Sequence, residues 1–210
     1  MDDVKYSTDR TAESLLKLCR EATDGNWHNG CSKSSIVRGK QAKIFVYGNA
    51  KLTIGDMSEI ILMDGSLFIL GDFTLLPRTS IQLIRGMLAL GDGYLGQGSF
   101  VSCQEKLWIA DADIAPMCYI ADAEGHGITN SDGSESVRRA PTIIHEHVFI
   151  GPGSTVLANS EIGAGSVIGP KSFVRNMEIP PCCYAEGVPA KPIERGITWT
   201  RRKMDLDPML

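Results

Sequence analysis

The sequence has 210 residues, a formal net charge of −4 and 43% apolar residues. This length fits one domain with short appendages, and the apolar content is enough for a buried core. No clustered basic face is visible, which argues against nucleic-acid binding. The apolar runs are too short to span a bilayer, and the acidic start predicts no secretory signal. The six cysteines match neither a zinc site nor a disulfide framework, so we expect reduced thiols and a cytoplasmic location.

The first segment, residues 1–35, is predicted to be helical at residues 7–24. N-cap candidates precede apolar residues at helical spacing, and Gly25 ends the pattern. The N-cap candidates are Ser7, Thr8 and Asp9, and the spaced apolar residues are Leu15, Cys19 and Ala22. We expect this helix to pack on one end of the main body.

The C-terminal third has a sequence period of six. Aliphatic residues recur at this interval, a glycine often follows them, and a small residue stands four positions later. The aliphatic residues are Ile144, Ile150, Val156, Ile162, Ile168 and Val174, the glycines are Gly151, Gly163 and Gly169, and the small residues are Val148, Ser154, Ser160, Ser166 and Ser172. A second stretch, Trp108, Ile114 and Ile120, has the same spacing.

A period of six predicts a parallel β-helix with a triangular cross-section. Three short sides of six residues each close one coil of eighteen residues, and stacked coils pair backbone to backbone at about 4.8 Å. Ile144 would then lie on Ile162, Ile150 on Ile168, and Val156 on Val174. Residues 36–104 carry a degenerate form of the repeat, which we interpret as irregular coils of the same prism.

The segment from Ile150 to Val174, IGPGSTVLANSEIGAGSVIGPKSFV, resembles the hexapeptide-repeat acyltransferases, and EGVPAKPI at residues 186–193 resembles the closing segment of that family. The resemblance implies an all-β, left-handed parallel β-helix over residues 36–193 with a protruding loop at residues 127–142 and a C-terminal tail at 194–210. It also implies a homotrimer that uses acetyl-CoA as co-substrate. Within the family the chain is most similar to sugar O-acetyltransferases of the maltose, galactoside and polysaccharide type.

The segment IADAEGHGI at residues 120–128 resembles the acidic stretch that ends in the catalytic histidine of those enzymes. The resemblance implies that His126 is the general base for direct acetyl transfer to a sugar or glycan hydroxyl, a role that suits the ordinary pKa of histidine. Asp122 or Glu124 would orient the imidazole or bind the acceptor. Glu124 departs from the family pattern, in which aspartate is common, and simple solvated turn acids remain an alternative for both.

Coenzyme A in this family lies along the groove between neighbouring prisms. By position, the resemblance implies that Phe149 packs on the pantetheine arm, where relatives often have tryptophan. Four further residues match contact positions: Gly151, Gly169, Arg175 and Lys191. Relatives often have Thr-Lys where this chain has Arg175-Asn176, so the cation is shifted by one residue.

Other functions remain open at the level of sequence. The nearest is N-acetyl transfer to an amino-sugar, free or nucleotide-linked, for which a base matters less. A zinc-containing β-helical carbonic anhydrase is a second alternative, but His145 and His147 lack the histidine spacing of that group, so we expect no metal. A catalytically inactive scaffold is a third. We expect the basic tail around Trp199 and Arg201 to be solvated rather than to bind phosphate.

Overall fold

A computed structural model describes residues 23–24 and 35–201, and these form 23 β-strands. In chain order the strands are β1 Thr23–Asp24, β2 Ser35–Arg38, β3 Lys43–Val46, β4 Leu52–Ile54, β5 Glu59–Leu62, β6 Ser66–Ile69, β7 Phe73–Leu75, β8 Ser80–Leu83, β9 Met87–Leu95, β10 Phe100–Cys103, β11 Lys106–Ile114, β12 Tyr119–Ala121, β13 Ala123–Thr129, β14 Glu135–Arg139, β15 Thr142–Ile144, β16 Val148–Ile150, β17 Thr155–Val156, β18 Ser160–Ile162, β19 Val167–Ile168, β20 Phe173–Val174, β21 Met177–Ile179, β22 Cys183–Gly187 and β23 Ala190–Arg195.

The strands stack into three parallel faces. The first face contains β3, β6, β15, β18 and β21, together with the first parts of β9 and β11. The second face contains β4, β7, β16, β19 and β22, together with the last parts of β9 and β11. The third face contains β2, β5, β8, β10, β12, β17 and β20. Successive strands of one face come from successive coils, so the chain winds around a single axis. This arrangement confirms the predicted all-β fold of a left-handed parallel β-helix.

The predicted stacking of aliphatic residues is also confirmed. Ile144 pairs in register with Ile162, Ile150 with Ile168, and Val156 with Val174, and all six side chains are fully buried. The small residues four positions later are buried as well: Val148, Ser154, Ser160, Ser166 and Ser172. Two of the serine hydroxyls bond to backbone carbonyls, since Ser154 Oγ donates to the Gly169 carbonyl at 2.9 Å and Ser166 Oγ donates to the Pro180 carbonyl at 2.8 Å.

The placement of Trp108 in the inner repeat is wrong. Ile109, one residue later, pairs with Ile144 in the interior, whereas Trp108 pairs with Ile143 and packs with Phe68 and Ala89 in a separate apolar cluster. The physical reason is the length of β11, whose nine residues pass from one face to the next without keeping the six-residue interval. Successive side chains along a strand point to opposite faces of the sheet. An error of one residue therefore assigns an outward-facing side chain to the interior.

The ends of the prism are closed by antiparallel pairing. At the C-terminal end β23 folds back on β22. At the N-terminal end β1 pairs with β3, so Thr23 and Asp24, the last two residues of the predicted helix, form a strand instead. The remainder of the predicted helix, residues 7–22, lies outside the described residues. In the part of the chain that the structure describes, no helix is long and apolar enough to cross a membrane.

Candidate active site

The protruding element between β12 and β15 is a β-hairpin. The sequence predicts a loop at residues 127–142, and the structure shows antiparallel strands β13 and β14 joined by a turn at Asn130–Ser134. Two hydrogen bonds connect the root of the hairpin to the prism. Ala140 N–H donates to the Asp122 carbonyl at 3.1 Å, and the buried Thr142 hydroxyl donates to the Ala121 carbonyl at 3.0 Å. The hairpin is therefore held at its root.

A β-bulge in this hairpin contains His126, the predicted general base. Ala123 pairs with Arg139 and Gly127 pairs with Val137, so Glu124, Gly125 and His126 together lie opposite Arg138. Gly125 has a φ of +78°, a conformation that favours glycine. Bulges redirect side chains and are frequent beside active sites. The irregular pairing thus concentrates three residues of the predicted acidic-histidine segment at one point of the hairpin.

His126 is exposed to solvent. Among the described residues, none forms a hydrogen bond or ion pair with its imidazole. The ring is accessible to an acceptor, and its role as a base stays a prediction.

Asp122, a predicted acceptor-binding or orienting residue, has a buried carboxylate. Its oxygens accept hydrogen bonds from Gln104 N–H at 2.7 Å and Glu105 N–H at 2.8 Å, and the Cys103 thiol donates to it at 3.3 Å. The residue has no solvent-exposed surface. These contacts join the root of the hairpin to the turn after β10, which favours a structural role for Asp122 over contact with an acceptor.

Glu124 and Arg175, predicted for the acceptor and for coenzyme A respectively, form an ion pair with each other. Both line a cleft of about 740 Å³ between the hairpin and the turns that follow β17 and β20. Its lining residues are Glu124, Arg138, Arg139, Ala140, Ala158, Asn159, Phe173, Arg175 and Asn176. We call this space the hairpin cleft. The repeat does not predict Arg138 and Arg139 as site residues, because the pairing within the hairpin is what places them near Glu124.

Three of the other predicted coenzyme A contacts lie on the second face. Phe149 pairs with Val167 in register, and its side chain is half-buried. Gly151 and Gly169 are on adjacent coils, where a Cβ added to Gly151 would lie 2.7 Å from the Pro170 nitrogen. The close approach of the backbones explains the glycine at 151. Lys191 is exposed on β23, beside Glu186 of β22, away from the hairpin cleft.

The C-terminal residues 197–201 cross back over the prism, and we call them the C-terminal strap. Trp199 stacks on His147 and lies tilted against Phe149, with ring centroids 5.8 Å apart in the second pair. Arg201 donates to Asp113 at 2.8 Å and to Asp111 at 2.6 Å. The prediction of a solvated tail is therefore wrong at Trp199, which is half-buried against His147 and Phe149, whereas Arg201 stays exposed and pairs with two carboxylates of β11.

The two histidines considered for a metal face different partners. His145 Nε2 lies 2.7 Å from Glu161 Oε1, and His147 Nε2 lies 2.8 Å from the Trp199 carbonyl oxygen. His147 is half-buried beneath the C-terminal strap, whereas His145 forms a pair with Glu161 of the next coil near the surface. The two imidazoles thus contribute to separate packing and ion-pair contacts.

Known proteins share both the repeat and the fold. Residues 141–176 match the family model of the bacterial transferase hexapeptide (six repeats). A serine acetyltransferase from Buchnera aphidicola subsp. Schizaphis graminum (strain Sg) is 38% identical over 71 residues, which span 33% of this chain and 27% of that enzyme.

Among solved structures, the polysialic acid O-acetyltransferase OatWY superposes with a TM-score of 0.60 at 22% identity, covering 84% of this chain and 94% of that one. AntD, an N-acyltransferase from Bacillus cereus in complex with dTDP-4-amino-4,6-dideoxyglucose and coenzyme A, gives a TM-score of 0.50 at 18% identity, covering 76% of this chain and 83% of that one. At these identities the likeness concerns the fold. The match of residues 141–176 to the hexapeptide model confirms the predicted resemblance to the hexapeptide-repeat acyltransferases, and the superpositions confirm the fold that this resemblance implies.

Proposed function

We propose that the protein is an acetyl-CoA-dependent O-acetyltransferase that acts on a sugar or glycan hydroxyl. The observation that carries this proposal is the three-against-one bulge, which puts the exposed His126 two residues from Glu124 and opposite Arg138, and both of these neighbours line the hairpin cleft. Support comes from the bacterial transferase repeat and from the acyltransferases that share the fold. Acetyl-CoA would be the co-substrate, with Phe149, Gly151 and Gly169 along its path on the second face.

In the proposed reaction, His126 removes the proton from the acceptor hydroxyl as its oxygen attacks the thioester carbonyl. A tetrahedral intermediate forms, which backbone N–H groups of the groove would stabilise. It collapses with loss of the coenzyme A thiolate, and the imidazolium returns the proton to the sulfur. The products are the acetyl ester and free coenzyme A, and no acyl-enzyme is formed.

A buried cysteine of the prism, Cys118, favours direct transfer. Cys118 is buried in the prism, and its thiol donates to the Gly151 carbonyl at 3.3 Å. Burial raises its pKa above the ordinary value for cysteine. Because the thiolate is the reactive form, a buried thiol of this kind is a poor nucleophile at neutral pH.

A homotrimer is part of the proposal, because grooves between prisms are where this family binds coenzyme A. Light scattering on the purified protein should give three times the mass of the chain. A monomer that retains full turnover would contradict this part alone.

Thiol release from acetyl-CoA tests the chemistry against a panel of sugars, amino-sugars and nucleotide-linked sugars. His126→Ala should lower kcat by about 10²-fold to 10⁴-fold, the usual contribution of a general base. His145→Ala, at a half-buried histidine outside the cleft, is the control and should leave kcat within about twofold. Near-normal turnover of His126→Ala on a hydroxyl acceptor would refute the base. Turnover confined to amines, with only a small effect of the substitution, would indicate N-acetyl transfer instead.

A further inference from the structure

The hairpin cleft carries an excess of positive charge. Three arginines and one carboxylate line it, and Glu124 already pairs with Arg175. No carboxylate among the described side chains lies within ion-pair distance of Arg138 or Arg139. Arg139 is half-buried at the root of the hairpin, and Arg138 is the single residue opposite the bulge. Both arginines thus line the space that also contains Glu124, the acid that is already paired.

The surroundings of these arginines suit a sugar-sized ligand. The cleft volume of about 740 Å³ lies in the usual range of small-molecule sites, about 300–1,000 Å³. Phe173, half-buried on β20, offers an apolar wall, while the side chains of Asn159 and Asn176, in which Asn159 Nδ2 donates to Asn176 Oδ1, add polar groups to the lining. Apolar walls with a few convergent polar groups are the common composition of such sites.

An anionic group in this cleft could belong to either substrate, since coenzyme A also carries phosphates. The positions expected to contact coenzyme A on the regular coils, Phe149, Gly151 and Gly169, lie on the second face. The cleft lies at the corner between the third and first faces, next to the hairpin. Arg138 and Arg139 are accordingly placed beside the bulge that contains the candidate base, whereas Arg175, a predicted contact of coenzyme A, is already paired with Glu124.

We propose that Arg138 and Arg139 bind a carboxylate or phosphate on the acceptor, so that the preferred acceptor is an acidic sugar. This inference rests on the proposed acetyl transfer and adds the chemical class of the acceptor. Arginine suits the task because its planar guanidinium can donate two parallel hydrogen bonds to one carboxylate or phosphate. The acidic group anchors the sugar, and a hydroxyl on the same sugar is presented to the bulge that contains His126.

Matched pairs of acceptors test the proposal in the thiol-release assay: glucose against glucuronate, glucose against glucose 6-phosphate, and N-acetylmannosamine against N-acetylneuraminate. At least one acidic sugar should have a KM about 10-fold to 100-fold below that of its neutral partner, as expected for charge-assisted hydrogen bonds. Arg138→Gln and Arg139→Gln should each remove about 10-fold or more of this preference while the KM for acetyl-CoA changes by less than about twofold. Arg195→Gln, an exposed arginine of β23, is the charge-matched control.

Three other results would overturn the inference. Equal KM values for neutral and acidic acceptors would refute the anion-binding site and leave the proposed acetyl transfer intact. A raised KM for acetyl-CoA in Arg138→Gln or Arg139→Gln, with acceptor preference unchanged, would assign the arginines to the phosphates of coenzyme A. If no acceptor releases thiol, calorimetric titration with glucuronate, glucose 6-phosphate and N-acetylneuraminate tests the anion site separately. Equal binding by wild type and Arg139→Gln would refute the site. Weaker binding by Arg139→Gln would support the site and leave only the proposed acetyl transfer in error.

Discussion

Trp199 stacks on His147 with ring centroids 4.1 Å apart and an angle of 14° between the ring planes. Two hydrogen bonds accompany this contact: the Trp199 indole N–H donates to the His147 carbonyl at 2.9 Å, and His147 Nε2 lies 2.8 Å from the Trp199 carbonyl oxygen. The pair joins residues that are 52 positions apart in the chain. It fastens the C-terminal strap over the second face beside Phe149.

Removal of this indole should destabilise the protein. Trp199→Ala loses the stacking on His147, the contact with Phe149 and the indole hydrogen bond, and we expect the free energy of unfolding to fall by about 1–2 kcal/mol. Urea unfolding followed by circular dichroism measures this. Thr198→Ala, at the exposed neighbouring residue, is the control. Equal midpoints for Trp199→Ala and wild type would show that the strap adds no stability.

The Arg201–Asp113 contact should give stability a defined pH dependence. Burial raises the pKa of Asp113 above the ordinary value, and Arg201 opposes this shift. A raised pKa in the folded state means that the folded protein binds more protons than the unfolded one between the two pKa values, so stability falls as pH rises through that window. Arg201→Ala removes the opposing charge and should make this fall steeper.

We expect Arg201→Ala to lose about 1–3 kcal/mol at pH 7 and less at pH 4, because a buried carboxylate loses its partner. Urea unfolding at several pH values between 4 and 8 measures the difference. Arg201→Ala combined with Asp113→Asn should remove the added pH dependence, since the titrating group is gone. A loss that is the same at every pH would mean that Arg201 acts through packing rather than through the charge of Asp113.

Substitution of Asp122 distinguishes a structural role of this residue from a catalytic one. Asp122→Ala leaves the part-buried N–H groups of Gln104 and Glu105 without their acceptor, and we expect this to cost about 1–3 kcal/mol in total. Chemical denaturation should therefore show a lower free energy of unfolding. Asp132→Ala, in the exposed turn of the hairpin, is the control and should have a much smaller effect. Unchanged stability with a strongly reduced kcat would instead place Asp122 in the acetyl-transfer step.

The regular coils were predictable from sequence because each side of the triangle there has the same length. Ile144 and Ile162 can be matched by counting six, and the buried Ser154 and Ser166 follow from the same count. Trp108 could not be placed this way, because β11 is long and carries the chain around a corner, where the interval between inward side chains is no longer six.

The candidate site was only partly predictable. The position of His126 follows from the point where the repeat stops, but its neighbours depend on the bulge, which changes the pairing within the hairpin. Periodicity carries no information about such pairing, so the approach of Arg138 to Glu124 was not visible. The contacts of Arg201 span about ninety residues and involve no repeat, so no sequence pattern predicts them.

The hairpin leaves and rejoins the prism without disturbing its register. Ile120 and Val156 are 36 positions apart in the chain, twice the usual interval, yet they are direct partners in the third face. An insertion or deletion at the tip of the hairpin would therefore leave every coil above and below it in place. Acceptor preference in such a protein can diverge through changes in one excursion of the chain, at little cost to the scaffold that supports it.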